Sequence, residues 1–106
     1  MSSTDDVDLR TVFAALANDK RLQVLAWLRD PVAHFPPQRD GDLITDGVCV
    51  VNIAAALGVS APTATSHLQV LARAGLVVAT RTRQWTFYRR DEAALRALAG
   101  RMGTEL

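Results

Sequence analysis

The chain has 106 residues, enough for one domain that buries roughly two-thirds of the surface its unfolded form would expose. Its composition, 49% hydrophobic and 22% charged, excludes a disordered or fibrous chain, and no apolar run reaches the ~18 residues that a membrane span needs. The net charge of +1 hides an asymmetry: residues 1–59 hold five Lys/Arg against eight Asp/Glu, whereas residues 60–90 hold five against none, the footprint of a nucleic-acid surface if a shaped element lies beneath it.

The first ten residues, MSSTDDVDLR, carry three aspartates and no apolar stretch, the opposite of a secretory signal, so the chain is expected in the cytoplasm, with residues 1–6 disordered. Leu9, Val12, Phe13 and Leu16 then recur at i, i+3, i+4, i+7 and predict a first helix. Asn18 and Asp19 offer N-caps for a second, whose stripe of Leu22, Leu25, Ala26 and Leu28 stops at Asp30-Pro31. Residues 31–47, with three prolines, two glycines and three aspartates and no periodicity, read as a long loop that is mobile or has a task.

Val50, Ile53, Ala54 and Leu57 predict a short third helix, with Gly58 as its left-handed stop. Ser60 as N-cap and Pro62 in the first turn open a fourth, with Leu68, Leu71 and Ala72 on its apolar side. Residues 76–90 are β-branched and aromatic and divide around Thr82-Arg83-Gln84, which predicts a hairpin in which Trp85, like Trp27 earlier, is a core or strand-pair aromatic. Acidic residues at 91 and 92 followed by Leu95, Leu98, Ala99 and Met102 predict a final helix over 91–103.

The fold class expected is therefore a single domain, mostly α with a β-hairpin wing: two helices, the long loop, a helix-turn-helix over 50–74, two strands over 76–90 and a fifth helix. In a winged helix-turn-helix the fourth helix faces the major groove of double-stranded DNA and the hairpin tip reaches a phosphate or the minor groove. Thr63, Thr65 and Ser66 are short hydroxyls for base edges or phosphates, Gln69 can read adenine, and Ser60 caps the helix at that surface. Ala61 and Ala64 leave room for close approach to a thymine methyl, and Arg81 and Arg83 flank the hairpin tip as phosphate contacts. His67 is divided evenly between a phosphate donor and a side chain satisfied within the fold. Arg89 and Arg90 read as solvated or paired with Asp91 and Glu92.

The strings ALANDKRLQVLAWL, VNIAAALGVSAPTATSHLQVLARAGLV and RQWTFYRR resemble the ArsR/SmtB family of small bacterial repressors over about residues 12–90. Leu57, Gly58, Ser60, Pro62, His67, Leu68, Leu71, Gly75 and Tyr88 fall on the family pattern, and Thr65 or Ser66 supplies its hydroxyl. The resemblance implies a homodimer through the first and last helices, with Leu9, Val12, Phe13, Leu16, Leu95, Leu98 and Met102 at the interface. It also implies an inverted-repeat operator and repression until an effector, in many members a transition metal ion, releases the protein.

Two departures bear on that effector. Where soft-metal sensors of the family carry Cys-x-Cys, this chain reads Cys49-Val50-Val51, and its last helix has no histidine. The usual ligand sets are absent, which leaves Cys49 and His34 as weak metal candidates, with Asp40, Asp42 and Asp46 near His34 in sequence. On a helical wheel Cys49 falls about 90° from the centre of the buried face, on its shoulder. The second function weighed is an interaction module in which the 31–47 loop contacts an effector-sensing partner protein. No paired-carboxylate, Ser-His-Asp or Cys-His arrangement and no Gly-rich phosphate loop supports an enzyme.

Overall fold

The computed structural model describes residues 7–39 and 41–106; the expected disorder of residues 1–6 and the candidate Asp40 lie outside the described residues. Helices α1 (Leu9–Leu16) and α2 (Asp19–Leu28) are followed by a one-turn helix α3 (Pro31–His34) and a two-residue strand β1 (Val48–Cys49). Then come α4 (Val50–Leu57), α5 (Ala61–Arg73), the hairpin β2 (Val77–Arg81) and β3 (Thr86–Arg90), and α6 (Glu92–Glu105). Local signals set the helix ends. Asn18 accepts from the N–H groups of Lys20 and Arg21 at 3.0 and 3.1 Å. Ser60 accepts from Thr63 N–H at 3.3 Å. Gly58, at φ 71°, lets its own N–H and that of Val59 turn back onto the last carbonyls of α4.

The helices enclose one core. Val12, Val24, Ile53, Leu68, Leu71 and Leu76 are all fully buried in it, with α5 against α1, α2 and α4. The buried stripe of α2 is Val24, Leu25 and Leu28 rather than the expected one, because Leu22 and Ala26 face outward, Leu22 at 50% exposure. Two residues assigned to a dimer interface are corrected here: Val12 is fully buried and Leu98 5% exposed, so both belong to the core of their own protomer. Helical periodicity marks an apolar face without saying whether it meets the same chain or another. Leu9, Phe13, Leu16 and Leu95 are half-buried and Met102 is exposed, so these five keep surface outside the core.

The 31–47 segment departs most from the unstructured loop expected. Pro31 sits in the first turn of α3, and the buried Phe35 meets Trp27 of α2 edge-on, with ring centroids 6.0 Å apart. Asp42 Oδ1 accepts from the N–H groups of Ile44 and Thr45, both at 2.9 Å, and Asp46 Oδ2 accepts from Asp42 N–H at 2.8 Å. These backbone bonds hold the Asp42 carboxyl below the usual carboxylate range. The two aspartates thus shape the turn itself.

The loop ends as a third strand. Antiparallel β1 pairs Val48 with Tyr88 and Cys49 with Phe87, so β3 lies in the middle of a sheet ordered β1-β3-β2. Cys49 is therefore a buried strand residue that precedes α4, not a side chain on the helix shoulder. Gln38 locks this arrangement: its Nε2 donates to Gly47 O at 3.0 Å and Gly41 O at 3.3 Å, and its Oε1 accepts from Cys49 N–H at 2.6 Å.

Gly47 has φ 105°, and a Cβ there would lie 2.5 Å from Tyr88 O, whereas a Cβ on Gly58 would meet nothing within 4 Å. Gly58→Ala should cost only the left-handed backbone penalty of about 1–2 kcal/mol. Gly47→Ala adds a backbone collision and should lose about 3 kcal/mol or more in urea denaturation. Equal losses for the two variants would show that β1 does not sit against β3 as described.

Candidate nucleic-acid interface

Helix α5 divides cleanly by exposure. Ala64, Leu68 and Leu71, at i, i+4 and i+7, point into the core and are fully buried. Ala64 therefore cannot touch a thymine methyl, and that assignment is withdrawn: the residue sits on the core stripe. Ser60, Ala61, Pro62, Thr63, Ser66 and Gln69 are exposed, while Thr65 and His67 are half-buried at the margins. The outward face continues to Arg73, exposed one turn beyond Gln69. Arg73 was missed in the sequence, although the series Pro62, Ser66, Gln69, Arg73 at i, i+4, i+7, i+11 carries the signal. At the start of this face Ser60 Oγ donates to Thr63 Oγ1 at 3.0 Å, which leaves the Thr63 hydroxyl proton free to donate outward.

The wing lies beyond α5. Its connection, residues 82–85, is closed by Thr82 N–H donating to Trp85 O at 2.9 Å. Arg81, Thr82, Arg83 and Gln84 are all exposed, and Arg73, Arg81 and Arg83 form no ion pair with a carboxylate among the described residues. By contrast, Arg90 forms a bidentate pair with Glu92 at 2.8 and 2.9 Å, as one of the two readings for it held. Trp85 lies in the connection rather than in a cross-strand pair.

His67 is tied to a residue that the sequence reading passed over. Arg21, in the first turn of α2, donates through Nη1 to His67 Nδ1 at 3.1 Å. Its Nε donates to Ala15 O at 2.6 Å and its Nη2 to Ala14 O at 3.4 Å, both carbonyls in the last turn of α1. A guanidinium has no acceptor, so Nδ1 carries the lone pair and the imidazole proton sits on Nε2. Burial, then the charges of Arg21 and Lys20, push the His67 pKa below its ordinary 6.5.

The weak metal candidates are not gathered. Cys49 is buried in β1, His34 is exposed at the end of α3 beside Trp27, and no group of three or more His, Cys, Asp and Glu able to hold a metal ion occurs among the described residues. No described helix is long and apolar enough to cross a membrane.

Because the folded pKa of His67 is depressed, its contribution to stability is complete above pH 6.5 and is lost as the pH falls through the folded value. In an NMR titration His67 should ionise below 6.5. Arg21→Met should move that midpoint upward without restoring it fully, since burial is the larger cause. A midpoint unchanged by this substitution would break the assigned contact.

No protein-family model matches the chain. It is 45% identical over 95 residues, covering 90% of this chain and 95% of the other, to an uncharacterised HTH-type transcriptional regulator, YbzH, of Bacillus subtilis strain 168. Among solved structures, the homodimeric winged helix-turn-helix DNA-binding domain of Mb0332 from Mycobacterium bovis, described as a possible ArsR-family regulator, matches with a TM-score of 0.62 and 33% identity over 92% of this chain and 79% of that one. An ArsR-like transcriptional regulator from Rhodococcus sp. RHA1 matches with a TM-score of 0.63 and 28% identity, over 92% of this chain and 80% of the other. With the helix-turn-helix, the wing and these relatives together, the chain belongs to the ArsR family of winged helix-turn-helix transcriptional regulators and is not an enzyme.

Proposed function

We propose that this regulator is a dimeric repressor that holds an inverted-repeat DNA operator with α5 and the wing, and that an effector releases it. The observation that carries the reading is the outward stripe of α5, where Thr63, Ser66, Gln69 and Arg73 share one exposed face and the exposed arginines of the wing, without an ion pair among the described residues, lie beyond it. Such a stripe offers a major groove hydroxyl, amide and guanidinium groups without a carboxylate to repel phosphate. The wing arginines add contacts that position the protein without reading sequence.

Dimerisation is supported by the apolar surface that α1 and α6 leave uncovered: Leu9, Phe13, Leu16 and Leu95, with Met102 at 43% exposure. Arg101 of α6 donates to Val7 O at 2.9 Å, which ties the last helix to the segment just before α1. The Mb0332 domain is itself homodimeric, and the same two-fold arrangement here would place two copies of α5 one helical turn of DNA apart, about 34 Å.

Fluorescence anisotropy on operator DNA recovered by genomic footprinting tests the contacts. Arg83→Ala should weaken binding to all sequences and reduce the slope of log K against log salt by about 1. Gln69→Ala should instead narrow the preference for the operator over altered sites by about 1–3 kcal/mol. Full affinity and selectivity in both variants would refute the docking arrangement. Met102→Asp should yield a monomer by size-exclusion chromatography with light scattering, and an unchanged dimer would move the interface elsewhere.

A further inference from the structure

Residues 37–39 do more than cover the sheet: with Cys49, the first turn of α4 and the tip end of the wing they line a cavity of about 230 Å³. Phe87 forms a fixed inner wall at 2% exposure, the half-buried Trp85 stands beside it, and Val51, 52% exposed, lies at the mouth. These are flat or apolar surfaces. The polar groups at the cavity are few: the exposed guanidinium of Arg39, the amide of Asn52, whose single hydrogen bond to Gln38 is a long 3.5 Å, and the Cys49 thiol. Cys49 is 7% exposed and its thiol has no hydrogen-bond partner among the described residues.

We propose that this cavity is a binding site for a small organic acid, a flat apolar ring bearing one carboxylate. Its size, below the ~300–1,000 Å³ of sites for drug-sized ligands, admits a single ring and little more. The half-buried Trp85 offers an aromatic surface for a ring, and the buried Phe87 adds an apolar inner wall. Arg39 has no ion pair or hydrogen bond among the described residues, and none of the described residues lining the cavity is acidic, so a carboxylate would meet a planar cation already free to receive it. The first turn of α4 adds to this preference, since Cys49 at its N-cap supplies no side-chain bond to the N–H groups there. Gln38 also lines the cavity, but its amide is committed to Gly41, Gly47 and Cys49, so it builds the wall and does not select the ligand.

A larger cavity of about 340 Å³, between α3 and the end of β3, lacks such selectivity: it is lined by Arg29, Arg89 and Arg90 together with Asp30 and Glu92, and Arg90 is already paired with Glu92. The smaller cavity also adjoins the wing connection. Trp85 closes the wing connection, so an occupant would press on the segment that carries Arg83.

The test is a ¹H–¹⁵N NMR titration of the full chain with benzoate, phenylacetate and indole-3-acetate at millimolar concentration, each compared with its neutral amide. At least one acid should produce saturable shifts of the Trp85 indole N–H and the Val51 and Asn52 amides, with the Trp27 indole unmoved. Arg39→Gln, a change at an exposed side chain without an ion pair among the described residues, should weaken that acid at least tenfold, as should replacing the acid by its amide. Val51→Trp should block the mouth and abolish the shifts. The proposal is overturned if no acid gives saturable shifts, if the amides bind as well, or if either variant binds like the parent protein. The titration contains no DNA, so its failure would leave the operator-binding reading untouched.

Discussion

One guanidinium fixes how the functional helix stands on the rest of the molecule. Arg21 reaches from the first turn of α2 to two carbonyls in the last turn of α1 and to the imidazole of His67 in the middle of α5. Each such bond from a charged donor is worth about 1.5–3 kcal/mol. Their joint effect is geometric as well as energetic, because a planar fork meets three acceptors only in one arrangement of the three helices. Helix α1 carries part of the uncovered apolar face and α5 the outward polar stripe, so the angle between the two surfaces is set where Arg21 binds. A lysine ends in one compact ammonium instead of a planar fork, so it would not meet these three spread acceptors in the same geometry.

A second constraint lies at the start of α4. Phe35 anchors the 31–47 segment to Trp27, the Asp42 turn shapes its return, and Gln38 delivers its backbone to β3 as a strand. Gly47 is needed where this strand begins, because its backbone passes too close to Tyr88 to accept a Cβ. The long connection is thus a structural layer, and the cavity beside Trp85 exists because of it.

Much of this was legible from residue types. Ser60, Pro62 and Gly58 marked the helix-turn-helix because each acts through its own neighbouring backbone, and the β-branched run from Leu76 marked the wing for the same reason. What escaped depends on distant partners. Val48 and Cys49 become a strand only because Phe87 and Tyr88, nearly forty residues later, are there to pair with them, and two residues are too few to show alternation. Gln38 and Arg21 looked like ordinary polar side chains, since nothing local reveals a bond to Cys49 or His67. Ala64 was placed outward for its small size, although its spacing to Leu68 and Leu71 already placed it inward. Val12 and Leu98 show a further limit: burial within one chain and burial between two leave the same periodic trace.

The central place of β3 has a consequence for how the wing meets a partner. A two-stranded hairpin can twist and splay, and must be ordered when it binds, at a cost in chain entropy. Here β3 is hydrogen-bonded on both sides, to β1 at Phe87 and Tyr88 and to β2 along its length, and just beyond it Asp91 N–H, at the N-cap of α6, donates to Leu76 O beside the start of β2. Only the connection at residues 82–85 stands clear of the ladder. The wing therefore arrives with its shape already set, and most of the free energy of its arginine contacts is available for holding the duplex instead of being offset by ordering the wing.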